Sequence, residues 1–271
     1  MSVPQSTSSS SPAVETFSLV KQFGDFVAVD QVNLQVQRGS FFGFLGPNGA
    51  GKSTTIKMLT GLLAPTSGQL RVLGLDIATQ PMEVKRRIGV VPEDLNLFER
   101  LTGAEMLSFT GRMYGLNSEE IALRAKELLE LMELQDEPKK LVIEYSHGMK
   151  KKLSLACALI HRPEILFLDE PFEGVDAIAS RTLKDLLSRL TARGLTVFLT
   201  SHVLEIVERL CSDIAIIAHG RLLAAGSLNE LRKGISLEEN GRGPISLEEY
   251  FIQVVGGTRS SAEEEMLQWL T

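Results

Sequence analysis

The stretch Gly46-Pro47-Asn48-Gly49-Ala50-Gly51-Lys52-Ser53-Thr54 constrains this chain more than any other. It fits the pattern G-x-x-x-x-G-K-[ST], which works only between a strand and the start of a helix. Both flanks agree: Phe41–Leu45 reads as a short buried strand and Thr54–Leu63 as helical. Glycines at 46, 49 and 51 let backbone N–H groups curl around an anion without Cβ obstruction. The helix start adds partial positive charge. Lys52 brings an ammonium to the outer phosphates, and the Ser53 hydroxyl is placed to ligate Mg²⁺. The loop thus predicts a nucleoside triphosphate site, and leaves open which nucleotide and for what purpose.

Around it the chain alternates. Glu15–Val20 and Phe26–Val36 read as strands, with a turn at Lys21–Gly24 that carries Phe23. Phe23 is either a core residue or a platform for a purine ring. Gln69–Leu73 and Ile88–Val91 are short strands. Leu101–Tyr114 and Glu119–Leu134 are consecutive helices that interrupt the alternation, as an inserted α-helical lobe does. A helix at about Met149–Ile160 leads to the apolar strand Ile165–Leu168. A helix over Ala179–Arg193, a strand over Thr196–Leu199, a helix ending at Leu210 and a hairpin around His219-Gly220 follow. Strands separated by helices argue a mostly parallel sheet. Ile-Ser-Leu-Glu-Glu occurs at 235–239 and 245–249, too few copies for a repeat architecture. Leu247–Val255 and Ala262–Leu270 read as short amphipathic helices.

Three further stretches carry chemistry. Ile165–Glu170 is a buried strand delivering Asp169 and Glu170 at its C-terminal edge, where ligands of open α/β sheets sit. Asp169 can hold Mg²⁺, and Glu170 is the candidate to polarise an attacking water. Tyr145–Lys150 places Ser146 and Gly148 before a helix, an anion receptor in form and an ordinary N-cap in isolation. His202, after Thr200-Ser201, ends a strand and is either a functional group or simply a helix-start residue. Lys150–Lys152 and Arg86-Arg87 are read as solvated helix faces, and His147, His161 and His219 as local structural residues.

Taken in order, these motifs over about Glu15–Lys233 resemble the nucleotide-binding subunit of ATP-binding cassette transporters. Gly46–Thr54 corresponds to the Walker A motif and Ile165–Glu170 to Walker B with its catalytic glutamate. Tyr145–Lys150 corresponds to the family signature, Gly174-Val175-Asp176 to the D-loop and His202 to the switch histidine. Phe23 falls at the adenine-stacking aromatic and Glu93 at the Q-loop glutamine. The chain departs from the pattern at His147 and Met149, where Gly and Gln are usual, and at Glu93. A Glu there either strengthens metal binding or repels the γ-phosphate. The form S-x-G-M is familiar among bacterial export-type cassettes.

The fold this implies is α/β: a P-loop NTPase core with a mostly parallel central sheet, an N-terminal antiparallel β subdomain and an α-helical insertion lobe. The expected organisation is a disordered tail over 1–12, an ATP-binding cassette domain over 13–233 with its lobe at about 94–160, and a C-terminal extension over 234–271. The resemblance implies an ATPase that binds ATP with Mg²⁺ between two cassettes facing head to tail, in a homodimer. Lys52, Glu170 and His202 would act in hydrolysis. Ser53, Asp169 and Glu93 would meet the metal. Phe23, Gly46–Thr54, Ser146, Gly148 and Asp176 would contact nucleotide. Separate permease chains would hold it at the cytoplasmic face of the membrane and receive an apolar patch at Leu95, Leu97, Phe98 and Leu101.

Composition agrees. Of 271 residues 44% are hydrophobic, enough for a core, and the net charge of −6 offers no basis for bulk nucleic-acid affinity. No apolar run reaches the roughly 18–20 residues that span a bilayer. Two cysteines, Cys157 and Cys211, form no metal or disulfide framework. Two other readings stand beside the transporter. A soluble cassette ATPase of translation or DNA repair calls for tandem cassettes, a long coiled coil or a basic surface. A regulatory module that binds ATP without turnover would need its catalytic residues to be idle.

Overall fold

The computed structural model describes residues 11–231 and 247–256. The tail expected at 1–12, save its last two residues, the first pentapeptide at 235–239 and the helix at 262–270 lie outside them. Strand β3 (Phe41–Leu45), buried at all five residues, runs through the middle of a six-stranded sheet. Its neighbours are β8 (Thr196–Ser201) on one side and β9 (Asp213–Ala218) on the other, both parallel to it. Beyond β8 come β7 (Ile165–Asp169) and β6 (Ile88–Val91), also parallel. The far edge is β10 (Arg221–Ser227), folded back antiparallel on β9 as the expected hairpin. Near-continuous apolar runs such as Ile-Leu-Phe-Leu fit strands covered on both faces.

A second, four-stranded antiparallel sheet is formed by β1 (Val14–Phe23), β2 (Phe26–Val36), β4 (Ser67–Val72) and the two-residue β5 (Leu75–Asp76), in the order β2-β1-β4-β5. Here β1 extends beyond its expected end. Lys21 pairs with Val29 and Phe23 with Phe26, so the turn is only Gly24-Asp25. The strand continues because β2 still offers it partners after β4 has stopped.

Helix α1 (Lys52–Leu59) starts two residues before its expected position, directly on the loop, and ends short, where Gly61 takes φ +68°. Beyond the helix face read at Arg86-Arg87, helix α2 (Pro81–Arg87) was not expected from the sequence. It is only seven residues long and buries a single residue, Val84, so it carries no apolar stripe. Helices α3 (Gly103–Met113) and α4 (Ser118–Leu131) begin at Thr102 and Asn117, each in a reciprocal capping box with the Glu three residues on. A 3₁₀ turn (Val142–Glu144) leads into α5 (His147–Leu159). Helices α6 (Ala177–Ala192), α7 (Leu204–Leu210) and α8 (Leu247–Gly256) complete the described elements named here. None among the described residues is long and apolar enough to cross a membrane.

The six-stranded sheet separates two cores, and alternation assigns each side chain. Ile165, Phe167 and Phe198 join the core shared with α1 and the antiparallel sheet. Leu166, Leu168, Val197 and Leu199 join the core under α5 and α6. Phe198, fully buried, lies 5.4–5.6 Å centroid to centroid from Phe42, Phe44 and Phe167. That cluster ties three adjacent strands together directly below the site.

Both cysteines are buried in the second core. Burial pushes the Cys157 thiol up to about 11 and the Cys211 thiol higher still, with Asp213 adding to the latter. In the folded chain at pH 8, neither thiol should react appreciably with a soluble aromatic disulfide, and both should after denaturation. Prompt labelling of either cysteine in the native protein would show the packing around it to be wrong.

Candidate functional site

Parallel register delivers the functional groups to one edge. Leu45 pairs with Ser201, Asp169 with Thr200, and Leu168 with Val91, so the residues that follow β3, β8, β7 and β6 emerge side by side. Residues 46–54, 169–170, 200–202 and 93 are therefore neighbours, although up to 156 positions separate them. Asp169 shares a face with Ile165 and Phe167, the face that α1 packs against, and so looks toward Ser53. The Ser53 hydroxyl reaches the Asp169 Oδ1 at 3.3 Å.

The loop itself needs glycine where the chain passes close to its neighbours. A Cβ on Gly46 would run into the Ile217 carbonyl, and one on Gly51, at φ +105°, would sit 2.5 Å from the Ala28 carbonyl. Lys52 curls back over this loop. Its ammonium donates to the carbonyls of Gly46 at 2.8 Å and Pro47 at 3.2 Å, and lies 3.3 Å from the Glu170 Oε1. The other Glu170 oxygen is 3.1 Å from the His202 Nδ1. Lys52, Glu170 and His202 thus form one chain of contacts. Glu170 is 7% exposed and holds φ +45°, a region a non-glycine residue enters only when its surroundings compel it. Its Oε1 has no hydrogen-bond partner among the described residues, the ion pair with Lys52 being its one contact of that kind.

These groups open on a cleft of about 340 Å³ lined by Phe26, Ala28, loop residues 48–54, Glu93, Glu170 and Glu173. A roomier groove of about 490 Å³ lies between α3 and α4. Its lining is mostly apolar and, although it carries Arg112, Lys126, Glu130 and Glu137, includes none of the loop residues and neither Asp169 nor Glu170, so the chemistry belongs to the smaller cleft. The cleft's donors fit a magnesium–phosphate group. Buried Asp169 and the Ser53 hydroxyl are hard oxygen donors on the same side, and one or two protein oxygens suffice for an ion that brings phosphate with it.

The other sequence candidates sit apart. Ser146 caps α5, its Oγ accepting from the Met149 N–H at 3.2 Å. Asp176 caps α6, its Oδ1 accepting from Ile178 and Ala179. A Cβ on Gly148 would stand 3.4 Å from the Asp176 Oδ2, so Ser146, Gly148 and Asp176 form a second cluster, and none of the three lines the loop cleft. Phe23 is half-exposed at the end of β1 with the Lys21 ammonium 5.0 Å over its ring. The aromatic that lines the cleft is its cross-strand partner Phe26. His161 stacks on Tyr114 with centroids 3.6 Å apart and its Nε2 is 2.9 Å from the Ile88 carbonyl, a local role as expected.

Two readings are corrected. Lys151 and Lys152 are buried, not on a solvated face: the Lys152 ammonium pairs with Glu133 at 2.6 Å and Lys151 points inward. Arg87 pairs with Glu164, which also holds Arg38, so only Arg86 of that pair fits a solvated face. Besides Phe26, Thr200 was missed. Thr200, fully buried, donates to the Asp169 Oδ1 at 2.6 Å and accepts from the Glu170 N–H at 3.0 Å. It orients both acids. Threonine is an ordinary strand residue, so only the register reveals it.

A family model described as "ABC transporter" matches residues 29–173. The probable multidrug ABC transporter ATP-binding protein YbhF of Escherichia coli is 38% identical over 242 residues, 89% of this chain and 41% of that protein. The bacitracin transport ATP-binding protein BcrA of Bacillus licheniformis is 37% identical over 248 residues, 89% of this chain and 80% of its own. Among solved structures, the dimeric post-hydrolysis state of the ATP-binding cassette MJ0796 bound to ADP and Pi superimposes with a TM-score of 0.73 at 25% identity, over 79% of this chain and 98% of that one. The chain spans about two fifths of the length of YbhF and most of BcrA.

Thr200→Val keeps the shape of the side chain and leaves two buried polar groups short of a partner. Denaturant unfolding should register a loss of about 1–3 kcal/mol, and Thr200→Ser should recover most of it. Equal stability of the valine variant would remove Thr200 from this network.

Proposed function

The chain belongs to the ABC transporter family, and we propose that it is the ATP-hydrolysing subunit of a membrane exporter. It works as a head-to-tail pair and drives separate permease chains from the cytoplasmic face of the membrane. The observation that carries this is the split between two clusters. The loop cleft gathers Lys52, Asp169, Glu170 and His202, while Ser146 and Gly148 present an anion receptor elsewhere on the same chain. A second copy brings its Ser146 and Gly148 to the open side of this cleft, and Asp176 beside them carries the state of one site to the other. The dimeric cassette structure and the transport names of the relatives support the reading. Residues 13–233 form the cassette, with its helical lobe at about 94–160.

In this mechanism the backbone N–H groups of residues 48–54 and the Lys52 ammonium bind and orient the phosphates of ATP. The exposed aromatics Phe23 and Phe26 flank the base. Glu170 takes the proton of the water that attacks the γ-phosphorus, and ADP and phosphate are the products. His202 and Lys52 hold that carboxylate from either side, and Thr200 sets its backbone. Magnesium would be held by Ser53 and Asp169, with Glu93 as the further oxygen donor on the cleft wall. Bound there it neutralises phosphate charge.

The apolar surface of the lobe differs in detail from the expected one. Leu95, Leu97 and Leu101 pack against the core, whereas Phe98 is 54% exposed and meets Phe109 edge-on at 5.0 Å. Met113, one turn beyond Phe109 on α3, is 73% exposed. Phe98, Phe109 and Met113 suit a groove that receives a short helix of the permease.

Glu170→Gln should bind ATP, hydrolyse it at least about 100-fold more slowly, and accumulate as a nucleotide-bound pair by size-exclusion chromatography. Retained turnover in the purified variant removes Glu170 as the base; a strictly monomeric ATP-loaded form removes the paired arrangement. Phe98→Asp should leave ATP hydrolysis by the isolated subunit within about threefold of normal while abolishing co-purification with the permease. Normal co-purification and transport would place docking elsewhere.

A further inference from the structure

The mechanism above leaves unused a buried cation that stands beside its acids. Lys151, on α5, is 2% exposed. Its ammonium donates to the backbone carbonyl of Glu170 at 3.2 Å and stands 3.5 Å from that of Glu93. The carboxylates of Glu173, Glu93, Asp169 and Glu170 all bear on it electrostatically. Burying an ammonium costs several kcal/mol unless partners compensate it, so a lysine kept here must be held by these groups. Glu93 follows β6 and Glu170 follows β7. One side chain therefore fastens the ends of two adjacent strands to the helix that Ser146 caps five residues earlier. Glu170 needs such restraint, because its backbone sits in a left-handed conformation that its own sequence disfavours.

We propose that Lys151 is a positioning residue for hydrolysis: it clamps the Glu170 and Glu93 carbonyls to α5, holds the Glu170 carboxylate between Lys52 and His202, and links the Ser146 end of α5 to the acids of its own cleft. Lys151 touches no phosphate in this scheme. It acts through Glu170, so its loss slows turnover and spares nucleotide binding. The inference rests on the ATPase reading, and deepens it.

Lys151→Met keeps an unbranched apolar stem and removes the ammonium. In the full chain, three quantities decide the matter: thermal unfolding, binding of a fluorescent ATP analogue, and steady-state hydrolysis of Mg-ATP. Lys151→Met should bind the analogue within about threefold of wild type while kcat falls at least about tenfold, a split expected of a group felt only in the transition state. Lys151→Arg, which restores a charged donor, should lie above Lys151→Met in kcat. Unchanged kcat in Lys151→Met overturns the proposal. So does a loss that falls equally on binding and turnover, or one as deep in Lys151→Arg as in Lys151→Met. Should the methionine variant not fold, Lys151→Gln is read by the same criteria. A wild-type chain that hydrolyses no ATP would instead overturn the ATPase reading itself.

Discussion

An apolar sheet that ends in charge is the constraint on which this structure depends. Lys52, Asp169, Glu170 and Lys151 are all at least nine-tenths buried, at the rim of two hydrophobic cores. Each charge there must be met by an opposite charge or a hydrogen bond, or the fold loses several kcal/mol. The contacts supply this. Lys52 has two loop carbonyls and Glu170; Asp169 has Thr200 and Ser53; Glu170 has Lys52 and His202. The Glu170 Oε1 keeps a charged neighbour, Lys52, and no hydrogen bond among the described residues.

The Phe42, Phe44, Phe167 and Phe198 cluster explains why these contacts hold their geometry. It locks β3, β7 and β8 to one another just beneath the acids, and a buried phenylalanine of this kind is typically worth about 3–5 kcal/mol against alanine. Alternation then does the rest. Two residues beyond Phe167 comes Asp169, and two beyond Phe198 comes Thr200, on the same face and directly paired. Packing thus aims these side chains although none of the four phenylalanines lines the cleft.

What was legible in the sequence followed from local rules. Glycine spacing announced the loop, a continuous apolar run ending in Asp-Glu announced the central strand, and two uninterrupted helices announced the lobe. What was not legible depended on pairing across long separations. Thr200 looks like any strand threonine until Asp169 is set beside it. Lys151 sits in a run of three lysines that composition alone assigns to water. Phe26 belongs to an alternating strand, and its place at the cleft appears only once the Gly24-Asp25 turn folds it over Phe23. Helix α2 escaped because a seven-residue helix with one buried side chain has no periodicity to detect.

The separation of Ser146 and Gly148 from the loop cleft has a consequence for inheritance. If every nucleotide is clasped by unlike patches of two copies, a lesion in either patch is felt at a site whose other half is sound. A cell carrying one damaged and one intact gene would assemble mixed couples, and the defect would spread beyond its own share of the product. Such alleles would act as dominant poisons, whereas a lesion that merely prevented folding would be silent beside a healthy copy.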